Sequence, residues 1–398
     1  MHKKLLECLC CGGTNLVKVL DLNDQPLANS YLKSKDEEEN LYPLAINFCV
    51  DCTHIQLTDA VDPDLLFKDY LYVSGTTKTL KDYFDWFVTF TEGYNDGKNV
   101  LDIACNDGTQ LDSFKNREYN TFGIDPASNL YPISSNNHSV ICDYFNRGSI
   151  SAFQQKFDKI IAQNVFAHNS DPLQFLLDCH DILEDGGFVF IQTSQADMVK
   201  NNQFDTIYHE HISFFSVKSM NELAKRAGFN LFDVVRTPVH GTSFVFVLCK
   251  HRSSNADELI ANEIPLTLDV MRNYADRADD NAITTKVFVD LLKEADHVVV
   301  GYGAAAKGNT FINYSKFTLD YIVDDNPLKH NLYSPGSKIP IYSPEKLLEQ
   351  KDLLDIWSKK LVIVPLAWNF FDEIKAKVEG MGIKDARYLR YFPVVRLV

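Results

Sequence analysis

The chain has 398 residues, a formal net charge of −15, and 45% hydrophobic and 12% aromatic residues. This length is more than one ordinary hydrophobic core needs and predicts two to three domains. The first residues do not resemble a signal peptide, no apolar run is long enough to span a bilayer, and the acidic charge argues against nucleic-acid binding, so we expect a cytoplasmic protein that binds neither membranes nor nucleic acid.

Cysteines are concentrated near the start of the chain. Two C-x2-C motifs, Cys8 with Cys11 and Cys49 with Cys52, each supply two thiolates from a tight turn. Two such motifs, called the cysteine hooks below, together provide the four sulfur ligands of a tetrahedral structural zinc site. Cys10 is adjacent to the first pair, and the sequence leaves open whether it replaces Cys8. Because four protein ligands leave no open position, we expect this zinc to stabilise the fold and not to catalyse a reaction.

A buried strand that begins near Asn99 leads into a turn of small residues and then a helix. Such a turn lets a ligand approach the backbone, and the helix offers free N–H groups. Asp125, at the end of the next strand, can accept both hydroxyls of a ribose. The turn lacks the glycine pattern of a dinucleotide site and the lysine of a P-loop, which favours S-adenosylmethionine. The residues assigned to this cofactor are Asp102, Ala104, Asn106, Gly108, Thr109, Asp125, Asp143, Tyr144 and Asn164.

Strands and helices continue to alternate as far as the strand that ends near Leu248. This alternation predicts a doubly wound α/β sheet whose ligands bind at the carboxyl ends of the strands. Within that pattern, Asp102 is expected at the methionine end of the cofactor and Tyr144 beside the adenine. His168 follows the fourth strand and faces the same cleft.

Four side chains able to hold or move protons are adjacent at Tyr208, His209, Glu210 and His211. If this segment is extended, the two histidines share one face. Such a pair suggests metal ligands or general acid–base catalysis, and histidines that only satisfy hydrogen bonds are the structural alternative. Because the cysteine hooks account for the metal, we favour an acid–base centre.

A second nucleotide-type pattern begins at Val298, where a buried strand enters a small-residue turn at Gly301 to Gly303. A helix follows near Lys307, and another strand ends near Asp324. The pattern alone is compatible with NAD, and Lys307 favours contact with a diphosphate. A Rossmann-like packing domain without a ligand is the structural alternative.

Taken together, these motifs resemble the sugar C-methyltransferases that act on nucleotide-bound 4-keto-deoxysugars, as in mycarose, evernitrose and tetronitrose biosynthesis. The resemblance is carried by the two cysteine hooks, the segment from Asp102 to Thr109, residues 205–211, His240-Gly241, and residues 301–309. It implies an α/β protein with a central class I methyltransferase Rossmann-like sheet, a small N-terminal zinc-binding domain and a C-terminal Rossmann-like α/β domain. The expected boundaries are 1–68 for the zinc-binding domain, 69–252 for the methyltransferase domain and 253–398 for the nucleotide-sugar-binding domain.

The resemblance also implies roles for single residues. A histidine matching His211 is the proposed base in that family, with residues matching Tyr208, Glu210 and His168 around the sugar, and we add Tyr72 to this set. The residues assigned to the nucleotide sugar are Tyr70, His209, His240, Tyr302, Ala305, Lys307, Asn309 and Asp324.

We therefore expect S-adenosylmethionine-dependent methylation, at C3, of a nucleotide-linked 4-keto-deoxysugar by a monomer or small homo-oligomer. The alternatives are a sugar O-methyltransferase, an NAD-dependent nucleotide-sugar oxidoreductase that uses the C-terminal domain, and a non-catalytic nucleotide-sugar-binding protein.

Overall fold

A computed structural model describes residues 2–67, 75, 78–193, 197–238, 242–349 and 360–398. Tyr70, Tyr72 and His240 lie outside the described residues. No helix in this part of the chain is long and apolar enough to cross a membrane.

The strands that the structure describes are β1 (His2–Lys4), β2 (Leu16–Gln25), β3 (Tyr42–Cys49), β4 (Ile55–Leu57), β5 (Asp59–Val61), β6 (Asn99–Ile103), β7 (Asn120–Ile124), β8 (Ser139–Ile141), β9 (Phe157–Gln163), β10 (Leu183–Thr193), β11 (Ser213–Phe214), β12 (Asn230–Thr237), β13 (Ser243–Cys249), β14 (Val298–Tyr302), β15 (Ile322–Val323), β16 (Ile341–Tyr342), β17 (Leu361–Pro365), β18 (Arg387–Arg390) and β19 (Arg396–Leu397). The α-helices are α1 (Pro63–Phe67), α2 (Lys78–Glu92), α3 (Thr109–Lys115), α4 (Tyr131–Ser134), α5 (Arg147–Ile150), α6 (Pro172–Ile182), α7 (Val217–Arg226), α8 (Ala256–Ala261), α9 (Leu268–Glu294), α10 (Ala306–Ser315) and α11 (Phe371–Gly380).

The chain divides into two compact units. The first contains Met1–Val17, Asn47–Ala196 and Glu210–Thr267, and the second contains Lys18–Ile46, Asp197–His209 and Leu268–Val398. The boundary falls inside β2 and β3, which belong to a four-stranded sheet of order β11-β4-β3-β2. The segment between the cysteine hooks therefore contains two strands.

The first unit contains a seven-stranded sheet of order β12-β13-β10-β9-β6-β7-β8. The strands β6 to β10 run parallel, whereas β13 is antiparallel to both of its neighbours. This is the strand order of a class I methyltransferase sheet and confirms the predicted fold class.

Both faces of this sheet are covered by helices, which explains the nearly continuous apolar runs of its parallel strands. Neighbouring residues of β9 point to opposite faces. Ile160 belongs to a buried cluster with Leu176 of α6. Ile161 belongs to a different cluster, which includes Phe87 of α2. The carboxyl ends of the strands lie between these two helix layers and are left to bind ligands.

The second unit contains a six-stranded sheet of order β16-β15-β14-β17-β18-β19. The first five strands are parallel, and β19 is antiparallel to β18. The next two strands in the chain, β15 and β16, lie on one side of β14, and β17 to β19 lie on the other side. This reversal is the topological switch point at which doubly wound sheets bind ligands, so the predicted Rossmann-like C-terminal fold is confirmed.

Candidate active site

Four thiols converge at the cysteine hooks of the first unit. The sulfur atoms of Cys8, Cys11, Cys49 and Cys52 all lie within 4.8 Å of one another. The Sγ–Sγ distance is 3.5 Å between Cys8 and Cys52 and 3.6 Å between Cys11 and Cys49. A tetrahedral zinc ion with Zn–S bonds of about 2.3 Å places its sulfur ligands about 3.8 Å apart, so the four thiolates fit zinc.

The two hooks share one backbone geometry. The N–H of Gly12 donates to the carbonyl of Cys8, and the N–H of Thr53 donates to the carbonyl of Cys49. Gly12 and Thr53 also both have positive φ, 76° and 65°. Cys10 is also fully buried, but its thiol is not one of the four that converge. The structure therefore resolves the choice between Cys8 and Cys10 in favour of Cys8.

A cavity of about 340 Å³ lies at the carboxyl edge of the seven-stranded sheet. Six of the residues assigned to S-adenosylmethionine line it, namely Asp102, Ala104, Asn106, Asp125, Tyr144 and Asn164. His168 lines the same cavity. The sequence-based choice of strand ends therefore placed the cavity correctly.

Asp125 is buried directly after β7, and both of its carboxylate oxygens accept backbone N–H groups. The N–H of Asn106 donates to Oδ2 and the N–H of Ala127 donates to Oδ1, each at 2.8 Å. Burial raises the pKa of this carboxyl group, and the two N–H groups oppose the rise. Because a carboxylate has about four acceptor positions, Asp125 keeps capacity for two ribose hydroxyls.

The turn after β6 is built from residues in left-handed backbone conformations. Ala104 has a φ of 61°, Asn106 of 52° and Gly108 of 84°. A Cβ on Gly108 would lie 3.0 Å from Cδ2 of His138, so glycine is required there both by conformation and by packing. Gly108 is the N-cap of α3 and Thr109 its first residue. Neither lines the cavity, so these two residues shape the turn around it.

Asp143 also lies outside the cavity lining. Its side chain is exposed, and its Oδ1 accepts the N–H of Tyr144 at 2.8 Å. The Tyr144 hydroxyl donates to Asp64 at 3.1 Å, and burial together with that carboxylate raises the pKa of Tyr144 to about 12.

Sequence reasoning missed several residues that line this cavity. Phe67 of α1 and Leu80, Tyr83 and Phe84 of α2 form an apolar wall, and Gln110 and Gln163 contribute amides. Most of the aromatic residues of α2 also pack into the core of the first unit. Gln163 directly precedes Asn164 at a strand end, and this position is the sequence feature that could have identified Gln163 as a lining residue.

The rings of His168 and His211 stack at a centroid distance of 5.3 Å and an interplanar angle of 24°. Phe67 also stacks on the His168 ring, at a centroid distance of 5.4 Å and an interplanar angle of 9°. A backbone hydrogen bond next to both histidines holds the two rings together, because the N–H of Ile212 donates to the carbonyl of Ala167 at 2.8 Å. Burial lowers the pKa of His168 to about 4, so this imidazole is neutral at neutral pH.

The segment from Tyr208 to Glu210 is a turn and not an extended strand, so the premise that His209 and His211 share one face is wrong. His209 belongs to the second unit, where its Nε2 lies 3.2 Å from the carbonyl oxygen of Tyr42 and its ring packs edge-on against the Tyr42 ring. Glu210 and His211 belong to the first unit and are both 4% exposed.

In the second unit, Asp324 follows β15 and has the same bonding pattern as Asp125. The N–H of Ala304 donates to its Oδ2 at 2.6 Å, and the N–H of Asn326 donates to its Oδ1 at 2.8 Å. Lys329 adds a cation 3.4 Å from Oδ2 and also donates to the Ala304 carbonyl at 2.8 Å. The charge of Asp324 is therefore neutralised by a lysine of the protein. Asp125 has no such lysine partner among the described residues.

Four of the other residues assigned to the nucleotide sugar, Tyr302, Ala305, Lys307 and Asn309, lie in β14, in the turn after it or in α10. Tyr302 donates its hydroxyl to Asp325 at 3.1 Å, and Asn309 donates to the Ala28 carbonyl at 2.8 Å. Ala305 is the N-cap of α10. The Lys307 ammonium lies 5.5 Å from the centroid of the Trp368 ring.

Asp205 is a fully buried carboxylate beside this group that sequence reasoning did not single out. Nε1 of Trp368 donates to its Oδ2 at 2.7 Å. Burial raises the pKa of Asp205 to about 6, and the charge of Lys307 opposes the rise. Burial in turn lowers the pKa of Lys307, with Asp205 opposing.

Three family models match the chain. Residues 8–67 match a "Putative zinc binding domain", residues 78–234 a "Methyltransferase domain" and residues 238–393 a "C-methyltransferase C-terminal domain". Together with the strand order and the cavity, these matches define a methyltransferase that uses S-adenosylmethionine and carries a structural zinc site.

One relative matches nearly the whole chain. The C-methyltransferase NovU of Streptomyces niveus is 28% identical over 413 residues, which cover 98% of this chain and 96% of NovU. The chain is therefore similar over nearly its whole length to a C-methyltransferase, and its three successive parts each match one of the three family models.

Other relatives match only part of the chain. The tRNA U34 carboxymethyltransferase of Campylobacter curvus (strain 525.92) is 27% identical over 161 residues, 37% of this chain and 53% of that protein. Among solved structures, the plantazolicin methyltransferase BpumL in complex with SAH is 13% identical, has a TM-score of 0.35, and covers 44% of this chain and 86% of its own.

Replacing Asp125 with asparagine is expected to weaken binding of S-adenosylhomocysteine about 10- to 100-fold, because hydrogen bonds to a charged group contribute about 1.5–3 kcal/mol. Isothermal titration calorimetry measures this. Asp324→Asn is a matched control, since Asp324 accepts the same two kinds of backbone N–H in the other unit, and its affinity for S-adenosylhomocysteine should be unchanged. Equal losses in both variants would contradict the assignment of Asp125 to the ribose.

Proposed function

We propose that the protein methylates a nucleotide-linked 4-keto-deoxysugar at C3, the carbon next to the ketone. The observation that carries this proposal is the stacked pair of His168 and His211, because one of the two imidazoles lines the cavity for the methyl donor. A nearby imidazole is the group needed to take a proton from a carbon acid at neutral pH.

The proposed chemistry requires a ketone. A C–H bond beside a carbonyl loses its proton to a positioned base if the enolate oxygen is stabilised. His211 takes this proton, and the electron pair left on C3 forms the new C–C bond. S-adenosylmethionine supplies the methyl group as an electrophilic carbon on a positively charged sulfur, and S-adenosylhomocysteine leaves. The proton on His211 is then released to solvent.

The neighbouring groups support this assignment. His168 is neutral, since burial lowers its pKa to about 4, so its N–H can donate to the developing enolate oxygen. Phe67 and Phe84 give the cavity an apolar wall, and apolar surroundings favour the exclusion of water that an enolate requires. The roles of Tyr208, Glu210 and Tyr72 stay predictions.

The nucleotide part of the substrate is assigned to the second unit. Its switch point lies beside the turn after β14, and Lys307 in the first turn of α10 supplies positive charge for a diphosphate in an otherwise acidic chain. Lys329 bonds to the acid that would hold a ribose in a dinucleotide site, which disfavours the NAD-dependent alternative.

Proton exchange tests the proposal without methyl transfer. The protein with S-adenosylhomocysteine and a nucleotide 4-keto-deoxysugar in deuterated water should lose the C3 proton signal in the NMR spectrum. The same sugar reduced to the 4-alcohol is the control and should not exchange. With S-adenosylmethionine, the product should carry a branched carbon. A methyl ether, or no exchange with any sugar of a panel, would contradict the proposal.

A further inference from the structure

Three glutamines lie close together at the carboxyl edge of the seven-stranded sheet. Gln163 is the last residue of β9, and Gln192 is its register partner on β10. Gln110 is in the first turn of α3. Nε2 of Gln163 donates to Oε1 of Gln110, so these two amides are joined. Both line the cavity, and Gln192 does not.

This bond leaves the other half of each amide unused. Nε2 of Gln110 and Oε1 of Gln163 are buried and have no hydrogen-bond partner among the described residues. Gln110 is only 5% exposed. A buried polar group without a partner costs about 1–3 kcal/mol, so two such atoms beside a cavity indicate a ligand. Exchanging N and O in both amides again leaves one donor and one acceptor unpaired.

The position of the amide pair indicates which part of a ligand it meets. Asp125 follows β7, Gln163 ends β9, and β6 lies between those strands. At about 4.8 Å between strands, the amides are roughly 10 Å from the acid that holds the ribose. Asp102 of β6 lines the cavity between them. A cofactor with its ribose at Asp125 extends its amino-acid end across β6 toward β9.

We propose that Gln110 and Gln163 bind the amino-acid end of S-adenosylmethionine. The unpaired NH2 group donates to the α-carboxylate, and the unpaired amide oxygen accepts from the α-ammonium. One donor next to one acceptor matches this zwitterion, and the Asp102 carboxyl group that lines the cavity offers a further acceptor for the ammonium. The proposal concerns the methyl donor alone and does not depend on which acceptor is methylated.

Two ligands that differ only at that end test the proposal. S-adenosylhomocysteine carries the amino acid, whereas 5′-methylthioadenosine keeps the adenosine and lacks it. In calorimetric titrations of the full chain, Gln110→Met and Gln163→Met are each expected to weaken S-adenosylhomocysteine binding about tenfold or more. Their affinity for 5′-methylthioadenosine should stay within about twofold of the unmodified protein. Methionine nearly conserves volume, so the core should stay packed.

Gln192→Met is the matched control, because Gln192 is a buried glutamine on the neighbouring strand that does not line the cavity. It should leave both affinities unchanged, and thermal melting of each ligand-free variant reports whether it folds. Equal losses for both ligands in the Gln110 and Gln163 variants would overturn the proposal, since the amides would then only support the shape of the pocket. Unchanged affinity for S-adenosylhomocysteine in both variants would overturn it as well.

Discussion

Replacing His211 with asparagine is expected to lower kcat by at least about a hundredfold, the usual contribution of a general base. Asparagine keeps a hydrogen-bonding side chain of similar length but cannot take up a proton at neutral pH. The affinity for S-adenosylhomocysteine should change little, because His211 is not among the residues that line the cofactor cavity. The expected signature is a loss in kcat and in solvent exchange at C3, with the cofactor still bound.

The variant His168→Asn should distinguish the roles of the two imidazoles. Burial lowers the pKa of His168 to about 4, so this imidazole is neutral at neutral pH, and its proposed part is to donate a hydrogen bond, which an asparagine amide can also do. This variant should therefore slow methyl transfer less than His211→Asn does and should retain measurable exchange at C3. His251→Asn is the control, since the His251 side chain is 69% exposed and lies outside the cavity lining. Undiminished exchange in His211→Asn would rule out this residue as the base.

Loss of zinc is expected to have the second large effect, although the ion takes no part in the chemistry. Binding of zinc by four thiolates contributes about 10–16 kcal/mol in zinc-finger peptides, and this energy holds the two hooks closed. The second hook leads directly into β4, which pairs with β11 next to His211. The N–H of Leu57 in β4 also donates to the carbonyl of Ile212. Removing zinc should therefore disorder β4 and β11 and abolish activity.

Metal analysis and thermal melting check this prediction. The purified protein should contain one zinc ion per chain, and Cys8→Ala should lose it and melt at a lower temperature. Cys10→Ala is the matched control, because Cys10 is buried beside the cluster but is not one of its four thiols, so zinc should be retained. Zinc retained in Cys8→Ala and lost in Cys10→Ala would show that the first hook binds through Cys10.

Most of the fold follows from local patterns. The apolar runs of the strands and the alternating helices predicted both Rossmann-like sheets, because burial on two faces demands continuous apolar strands. Small residues after β6 and an acid after β7 predicted the cofactor cavity, since the carboxyl ends of parallel strands meet at one edge. The turn at Tyr208 to Glu210 was the main local error, because four polar residues carry no periodicity that distinguishes a turn from a strand.

By itself, then, the sequence determined the elements, the zinc ligand types, the methyl donor and the strand ends at which the cavity lies. The tertiary structure alone decided which side chains meet. Cys8 and not Cys10 joins the sulfur cluster, His211 stacks on His168, and Gln110 bonds to Gln163. Each of these pairings joins residues far apart in the chain, so it depends on strand order and on packing between elements. Spacing along the sequence records which face a residue occupies, but it does not record which distant residue lies opposite.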